Sequence, residues 1–260
     1  MKTLIPTVAA LVLVAGCTGT QPPPPCLAAH GSYAVQYTPT GTPAPAGSTC
    51  ALSVGIVGVQ KYNQADGGMP TLALRPAELA DGTSAGIALG TFADPKPDDQ
   101  KLCYVNAFTS DAVTGTITYK FSNVDLYVDA HAPGTQMSFD VEVSDSSVPC
   151  TATYSALAVW PVVGCSFEGS TKNPNPFPPS DANCAFVDGS LSGYGWSWLA
   201  INPDFDVQCA PEPNDWIGWW NTDDRVGRPT YDIVHVQSIC VLRKPIPSFC
   251  PPEGCSWRTE

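Results

Sequence analysis

The sequence predicts a mainly-β fold, an antiparallel β-sandwich or barrel-like domain held by disulfides, with an irregular C-terminal part rich in proline and tryptophan. Three observations predict it. Apolar residues recur with period 2 more often than 3.6 through the middle of the chain, as in Tyr33, Val35 and Tyr37, which is the spacing of half-buried strands. Glycine and proline, 22 and 27 of 260 residues, punctuate these runs at short intervals, which suits strands and turns rather than long helices. The 11 cysteines point to an oxidising compartment, where thiols cross-link.

Residues 1–16 carry one cation, Lys2, and an apolar stretch from Leu4 to Val14. That stretch is short of the ~18–20 apolar residues that span a bilayer, so it reads as the core of an export signal. Its end, Val14-Ala15-Gly16-Cys17, resembles the lipobox of bacterial lipoproteins. The resemblance implies cleavage before Cys17, a diacylglyceryl group on its thiol and a further chain on its amino group. Residue 18 is Thr rather than the Asp that the enteric pattern reads as inner-membrane retention, which implies delivery to the outer membrane, on its periplasmic face or at the cell surface. At ~0.8 kcal/mol per buried methylene, two or more chains make a stable anchor. The membrane is thus the first expected partner. Residues 17–25 end in four prolines and show no periodicity; an extended tether at about 3.1 Å per residue would hold the folded part roughly 25 Å from the lipid.

The first domain is expected over residues 26–165. Its strands are read from alternation at Tyr33, Val35 and Tyr37, at Val54 and Ile56, at Ile117 and Tyr119, at Val124, Leu126 and Val128, and from Met137 through Phe139 and Val141 to Val143. The clearest unit is a hairpin in which the runs 121–130 and 135–143 flank a Pro133-Gly134 turn. Further strands are expected over 51–60, 71–75, 86–92, 151–160 and 231–242. One helix-like piece, 76–80, starts on a proline and meets Asp81-Gly82 after about a turn.

Setting Cys17 aside, ten cysteines remain: Cys26, Cys50, Cys103, Cys150, Cys165, Cys184, Cys209, Cys240, Cys250 and Cys255. Spacing leaves connectivity open. Nearest-neighbour pairing is the economical expectation, giving 26–50, 103–150, 165–184, 209–240 and 250–255. The cysteines are too scattered, and the three histidines too far apart in sequence, for a zinc site.

Residues 166–260 form a Trp/Cys-rich extension expected to pack on the same domain, with the 231–242 strand pairing into the main sheet. Six of the seven tryptophans lie here. Trp196, Trp198, Trp216, Trp219 and Trp220, beside Asp215 and Asn221, have the residue types of a sugar-stacking platform; the competing reading makes them the apolar filling of a disulfide-rich core. The run Asn202 to Asp206 offers oxygen ligands at alternate positions, but an EF-hand started there would place Val207 and Pro213 where Gly and Glu are needed. The knots Asp94, Asp98, Asp99 and Asn221, Asp223, Asp224 read as solvated turns.

The charge balance, 12 Lys+Arg against 24 Asp+Glu, excludes a phosphate-neutralising nucleic-acid binder. No H-E-x-x-H, S-x-x-K, phosphate loop or C-x-x-C motif occurs, no cofactor motif is seen, and nothing selects a catalytic pair among the acids. The resulting expectation is a lipid-anchored envelope lipoprotein with a structural or interaction role, meeting envelope proteins or polysaccharide. A carbohydrate-binding module using the tryptophans is the first alternative and a secreted hydrolase the second.

Gly31-Ser32-Tyr33-Ala34-Val35 after an early Cys, Phe121-Ser122-Asn123-Val124, Pro133-Gly134-Thr135-Gln136 and Val159-Trp160-Pro161-Val162-Val163-Gly164-Cys165 give residues 26–165 a resemblance to cysteine-rich surface lipoproteins of myxobacteria. It implies an envelope location and no particular activity.

Overall fold

A computed structural model describes residues 24–65, 67–76, 86–130, 132–166, 179–184, 201, 204–222 and 230–249. Its twelve strands are β1 (Gly31–Pro39), β2 (Val54–Tyr62), β3 (Thr71–Pro76), β4 (Ala88–Phe92), β5 (Leu102–Ser110), β6 (Ala112–Thr114), β7 (Ile117–Val128), β8 (Pro133–Asp145), β9 (Cys150–Val159), β10 (Gly164–Ser166), β11 (Val207–Thr222) and β12 (Thr230–Leu242).

The first nine strands make one antiparallel sheet that closes on itself. Its order runs β5-β4-β3-β2-β1-β9-β8-β7-β6, and β5 also pairs with β7. Omitting β6, the ring β1-β2-β3-β4-β5-β7-β8-β9 returns to β1, an eight-stranded up-and-down barrel. One closing seam runs from Leu102↔Tyr127 to Val105↔Val124, the other from Ala34↔Val159 to Pro39↔Tyr154. Strand β6 occupies the part of the β7 edge that β5 leaves, pairing Ala112↔Tyr119 through Thr114↔Ile117 across a Gly115-Thr116 turn. Closure leaves the core strands without an open edge.

Alternation dictates the filling. Tyr33, Val35 and Tyr37 point inward from β1, Leu72 and Leu74 from β3, and Phe139 and Val141 from β8, all buried in one cluster. Edge-on contacts link Tyr37 to Phe139 and Tyr154, and Phe121 to Phe139, with ring centroids 5.3–6.4 Å apart. Each such ring stabilises the fold by about 1.5–3 kcal/mol through burial. An eight-stranded barrel is narrow enough for side chains to fill it, and large residues such as Tyr33, Tyr119, Tyr154 and Phe92 do so here.

Strands β10, β12 and β11 form a second antiparallel sheet. Contrary to expectation, 231–242 does not join the main sheet; β12 pairs with β10 and β11 instead. Each barrel strand already has a partner on both edges, so the second sheet packs against the barrel face to face. Ala34, Val54, Ile56 and Val159, on the outward faces of β1, β2 and β9, share an apolar cluster with Val163, Phe205, Val207, Ile239 and Val241. The 207–242 region, read as irregular apart from 231–242, carries a long two-stranded ribbon. Its register shifts between Pro211 and Trp216, where Pro211 and Pro213 lack the N–H that a ladder needs.

The disulfides also differ from nearest-neighbour pairing: Cys26–Cys103, Cys50–Cys150, Cys165–Cys209 and Cys184–Cys240. Ring closure explains the second. Because β9 lies beside β1, the loop after β1 that carries Cys50 meets the start of β9 at Cys150. Cys26 crosses the end of the barrel to Cys103 at the start of β5. Cys209 and Cys240 do face each other across β11 and β12, but each bonds instead to a cysteine outside that ribbon. The 250–255 pair lies outside the described residues.

Candidate functional site

The candidate site is the point where the chain enters the barrel at Cys26, because any anchor at Cys17 would act through it. Cys17 itself lies outside the described residues. Cys26 is fully buried and held by three groups. Its sulfur bonds to Cys103 of β5, its N–H donates to the Pro95 carbonyl at 2.8 Å, and its carbonyl accepts from Lys61 Nζ at 2.6 Å. The Lys61 ammonium lies 5.9 Å from the centroid of the Phe92 ring, and burial lowers the Lys61 pKa.

The following residues are clamped as firmly. Ala29 N–H donates to the Gly134 carbonyl at 3.0 Å, and the Tyr33 hydroxyl, at 2.5 Å from that same oxygen and 3.2 Å from the Ala29 carbonyl, donates between them. Burial pushes the Tyr33 phenol well above its ordinary range. Gly134 has φ +68°, and a Cβ there would stand 2.1 Å from the Leu27 carbonyl oxygen. The turn read from Pro133-Gly134 therefore also receives the N-terminal segment. The adjoining turn is closed by Asp129, whose carboxylate accepts from Ala132 N–H at 2.8 Å and from the Tyr127 hydroxyl and Lys101 Nζ at 3.0 Å each.

The second sheet is fastened by a separate polar group. Asp181, in the short 3-10 turn Asp181–Cys184, accepts from Cys209 N–H at 2.6 Å and pairs with Arg243. Asp206 pairs with Lys244 at 2.6 Å and stands 3.8 Å from Arg243 Nε. Gln136, buried on the outer side of β8, accepts from Ser248 N–H at 2.7 Å and donates to the Ser248 carbonyl at 3.5 Å.

Of the two acidic knots, Asp94 and Asp98 act as turn locks, whereas Asn221 stands in β11 and Asp223 and Asp224 lie outside the described residues. Asp94 accepts from Lys96 N–H, and Asp98 accepts from the N–H groups of Gln100 and Leu102 and from the Tyr104 hydroxyl at 2.7 Å. That bond lowers the Asp98 pKa and pushes Tyr104 up to about 12. Asp125 is raised by burial and by neighbouring Asp140 and Asp98. In the Asn202–Asp206 run, the Asp206 carboxylate is taken by cations, and Asn202 and Pro203 lie outside the described residues.

Of the tryptophans, Trp196 and Trp198 lie outside the described residues. Trp216, Trp219 and Trp220 stand in β11 opposite Val236, Ile233 and Asp232. The motif reading of the sequence finds no G-x-S-x-G, a reading that Gly82-Thr83-Ser84-Ala85-Gly86 corrects, since it has that spacing. Its chemistry depends on a strand-to-helix turn, whereas here it joins β3 to β4, two strands paired from Thr71↔Thr91 to Leu74↔Ala88. Most of it lies outside the described residues.

Three sulfurs, of Cys165, Cys184 and Cys240, lie within 4.8 Å of one another. All three are engaged in disulfides, which leaves them no thiolate for a metal. No described helix is long and apolar enough to cross a membrane.

Known proteins place the chain. No solved structure matches it. A Myxococcus xanthus protein named "Putative lipoprotein MlpA" is 34% identical over 233 residues, covering 81% of this chain and 89% of that protein. The MlpA family model matches residues 31–161, a span that starts at the first residue of β1 and ends two residues beyond β9. The family model thus spans the closed barrel, and the chain belongs to the MlpA family.

Proposed function

We propose that the protein is a lipid-anchored lipoprotein of the bacterial envelope whose barrel serves a structural or interaction role at the outer membrane. The observation that carries this reading is Cys17, in its lipobox-like setting after an apolar stretch, nine residues before the clamped Cys26. The name of the M. xanthus relative supports it. In this reading residues 1–16 are removed, Cys17 carries the acyl chains, residues 18–25 set the height of the barrel, and residues 26–165 form the domain on which 166–260 pack. Thr18 supports sorting to the outer membrane.

The test is Cys17→Ser expressed in the native host. Loss of labelled fatty acid from the protein and its shift from the membrane to the soluble fraction are expected; undiminished membrane association would contradict the anchor. Separating inner from outer membranes by density tests the sorting step, with recovery in the inner membrane the adverse result. Digestion by protease added to intact cells would place the barrel on the surface rather than in the periplasm.

A further inference from the structure

Among the described residues, four large apolar side chains stand exposed: Tyr62 (47%), Leu89 (37%), Val113 (40%) and Val148 (57%). The first three line a single groove of about 890 Å³ on the outside of the barrel, completed by residues that include Ala73 and Ile87. Among the described residues that line it, Asp111 is the one carboxylate. Lone exposed apolar residues are ordinary, but three that converge on one concave face are not. From this convergence we propose that the outward faces of β3, β4 and β6, with the Tyr62 end of β2, form a bilayer-contact surface, on which the anchored barrel rests.

Three features favour a bilayer over a protein partner. The groove begins beside the tether: Lys61 holds the Cys26 carbonyl at 2.6 Å, and the next residue is Tyr62 on the groove's rim. Only eight residues separate Cys26 from Cys17, at most about 30 Å when fully extended, so an anchored barrel must lie close to the lipid. Second, the barrel is two-sided. Four strands around the ring from β3 lies β8, whose outward positions Ser138, Asp140, Glu142 and Ser144 are polar. Resting on the groove turns that face to water. Third, with a net charge of −12 the chain gains nothing from an anionic lipid surface, so the contact has to be apolar. A tyrosine at its edge suits the headgroup level, where an amphipathic ring is favoured. The contact need not be strong alone, since tethering makes it intramolecular.

This inference rests on the anchor proposed at Cys17, and its test separates the two. Benzoylphenylalanine is placed at Tyr62, Leu89 or, as control, Ser144, in the full-length lipidated protein reconstituted in phosphatidylcholine vesicles and irradiated. All three positions point outward, so the core is spared, and an unchanged disulfide map confirms folding. Lipid adducts several-fold more abundant at Tyr62 and Leu89 than at Ser144 are expected, and Leu89→Glu should remove the Tyr62 adduct. Equal labelling at the three positions, no lipid adduct at Tyr62 or Leu89, or cross-linking of these two to another protein in cell envelopes would overturn the proposal. If the N-terminal peptide proves to lack acyl chains, the anchor reading fails by itself. The same three positions are then read on a chain tethered through a histidine tag at residue 17 to nickel-chelating lipid, with the same outcomes deciding.

Discussion

Two residues at the ends of the barrel carry much of its local specification. Gly134 combines a left-handed φ of +68° with a backbone oxygen 2.1 Å from where a Cβ would stand. Gly134→Ala is therefore expected to cost more than the roughly 1–2 kcal/mol of left-handed strain alone, because the 27–30 segment must also move; chemical denaturation of the two proteins measures it. Asp145, buried at the opposite end, accepts from Thr49 Oγ1 at 2.6 Å and from both the N–H and hydroxyl of Ser147 at 2.8 Å. These bonds, that of Thr49 foremost, hold its carboxyl well below the usual carboxylate range. A depressed pKa means that the stabilisation is present above the unfolded value of about 3.9 and is lost as pH falls through the folded one. The melting temperatures of wild type and Asp145→Ala should differ clearly at pH 6–7 and converge below about pH 4; a gap that stays constant down to pH 2 would contradict this. No sequence pattern marks either interaction, because both join residues about a hundred positions apart.

At the scale of elements, the covalent staples matter most. Cys50–Cys150 closes a loop of 100 residues, and the chain-entropy model gives about 4.7 kcal/mol for such a loop, with 2–4 typical in practice. The Cys50→Ser/Cys150→Ser pair should lower unfolding free energy by about 2–4 kcal/mol while the other three bridges still form. A non-reducing peptide map should find 26–103, 50–150, 165–209 and 184–240 linked; neighbour-linked peptides would refute the arrangement. Most strands were legible. Alternation in 33–37, 54–56, 117–119, 124–128 and 137–143 falls inside β1, β2, β7 and β8, and the expected strand 71–75 inside β3, because each has one face in the core. Strand β5 was not: its pairing with β4 shifts register twice, between Leu89 and Gly90 and between Thr91 and Phe92, so its inward residues lose strict period. Disulfide partners were illegible for a related reason. Ring closure is a property of the whole sheet, and spacing along the chain carries no trace of it.

At the scale of the molecule, the barrel is the unit matched by the family and the second sheet is packed on its outside through Ala34, Val54, Ile56 and Val159. Gln136 joins the two parts by its paired bonds to Ser248. Gln136→Leu leaves the Ser248 N–H without that acceptor and should cost about 1–3 kcal/mol; hydrogen exchange should then rise in 238–249 before it rises in the barrel, and uniform loosening of both would argue against a separable seam. The candidate sites differ in locality. The reading of Cys17 rests on its immediate neighbours alone, whereas the groove of Tyr62, Leu89 and Val113 assembles from three strands and no local pattern marks it. The Cys26–Cys103 bridge has a mechanical consequence as well. With the proposed anchor at Cys17, a drag force on the barrel would enter the fold at Cys26 and pass through a sulfur–sulfur bond to β5, halfway round the ring from β1. The load is shared across the rim rather than peeling β1 away from β2 and β9 one hydrogen bond at a time. Shear that would unzip a terminal strand thus meets a covalent strap first.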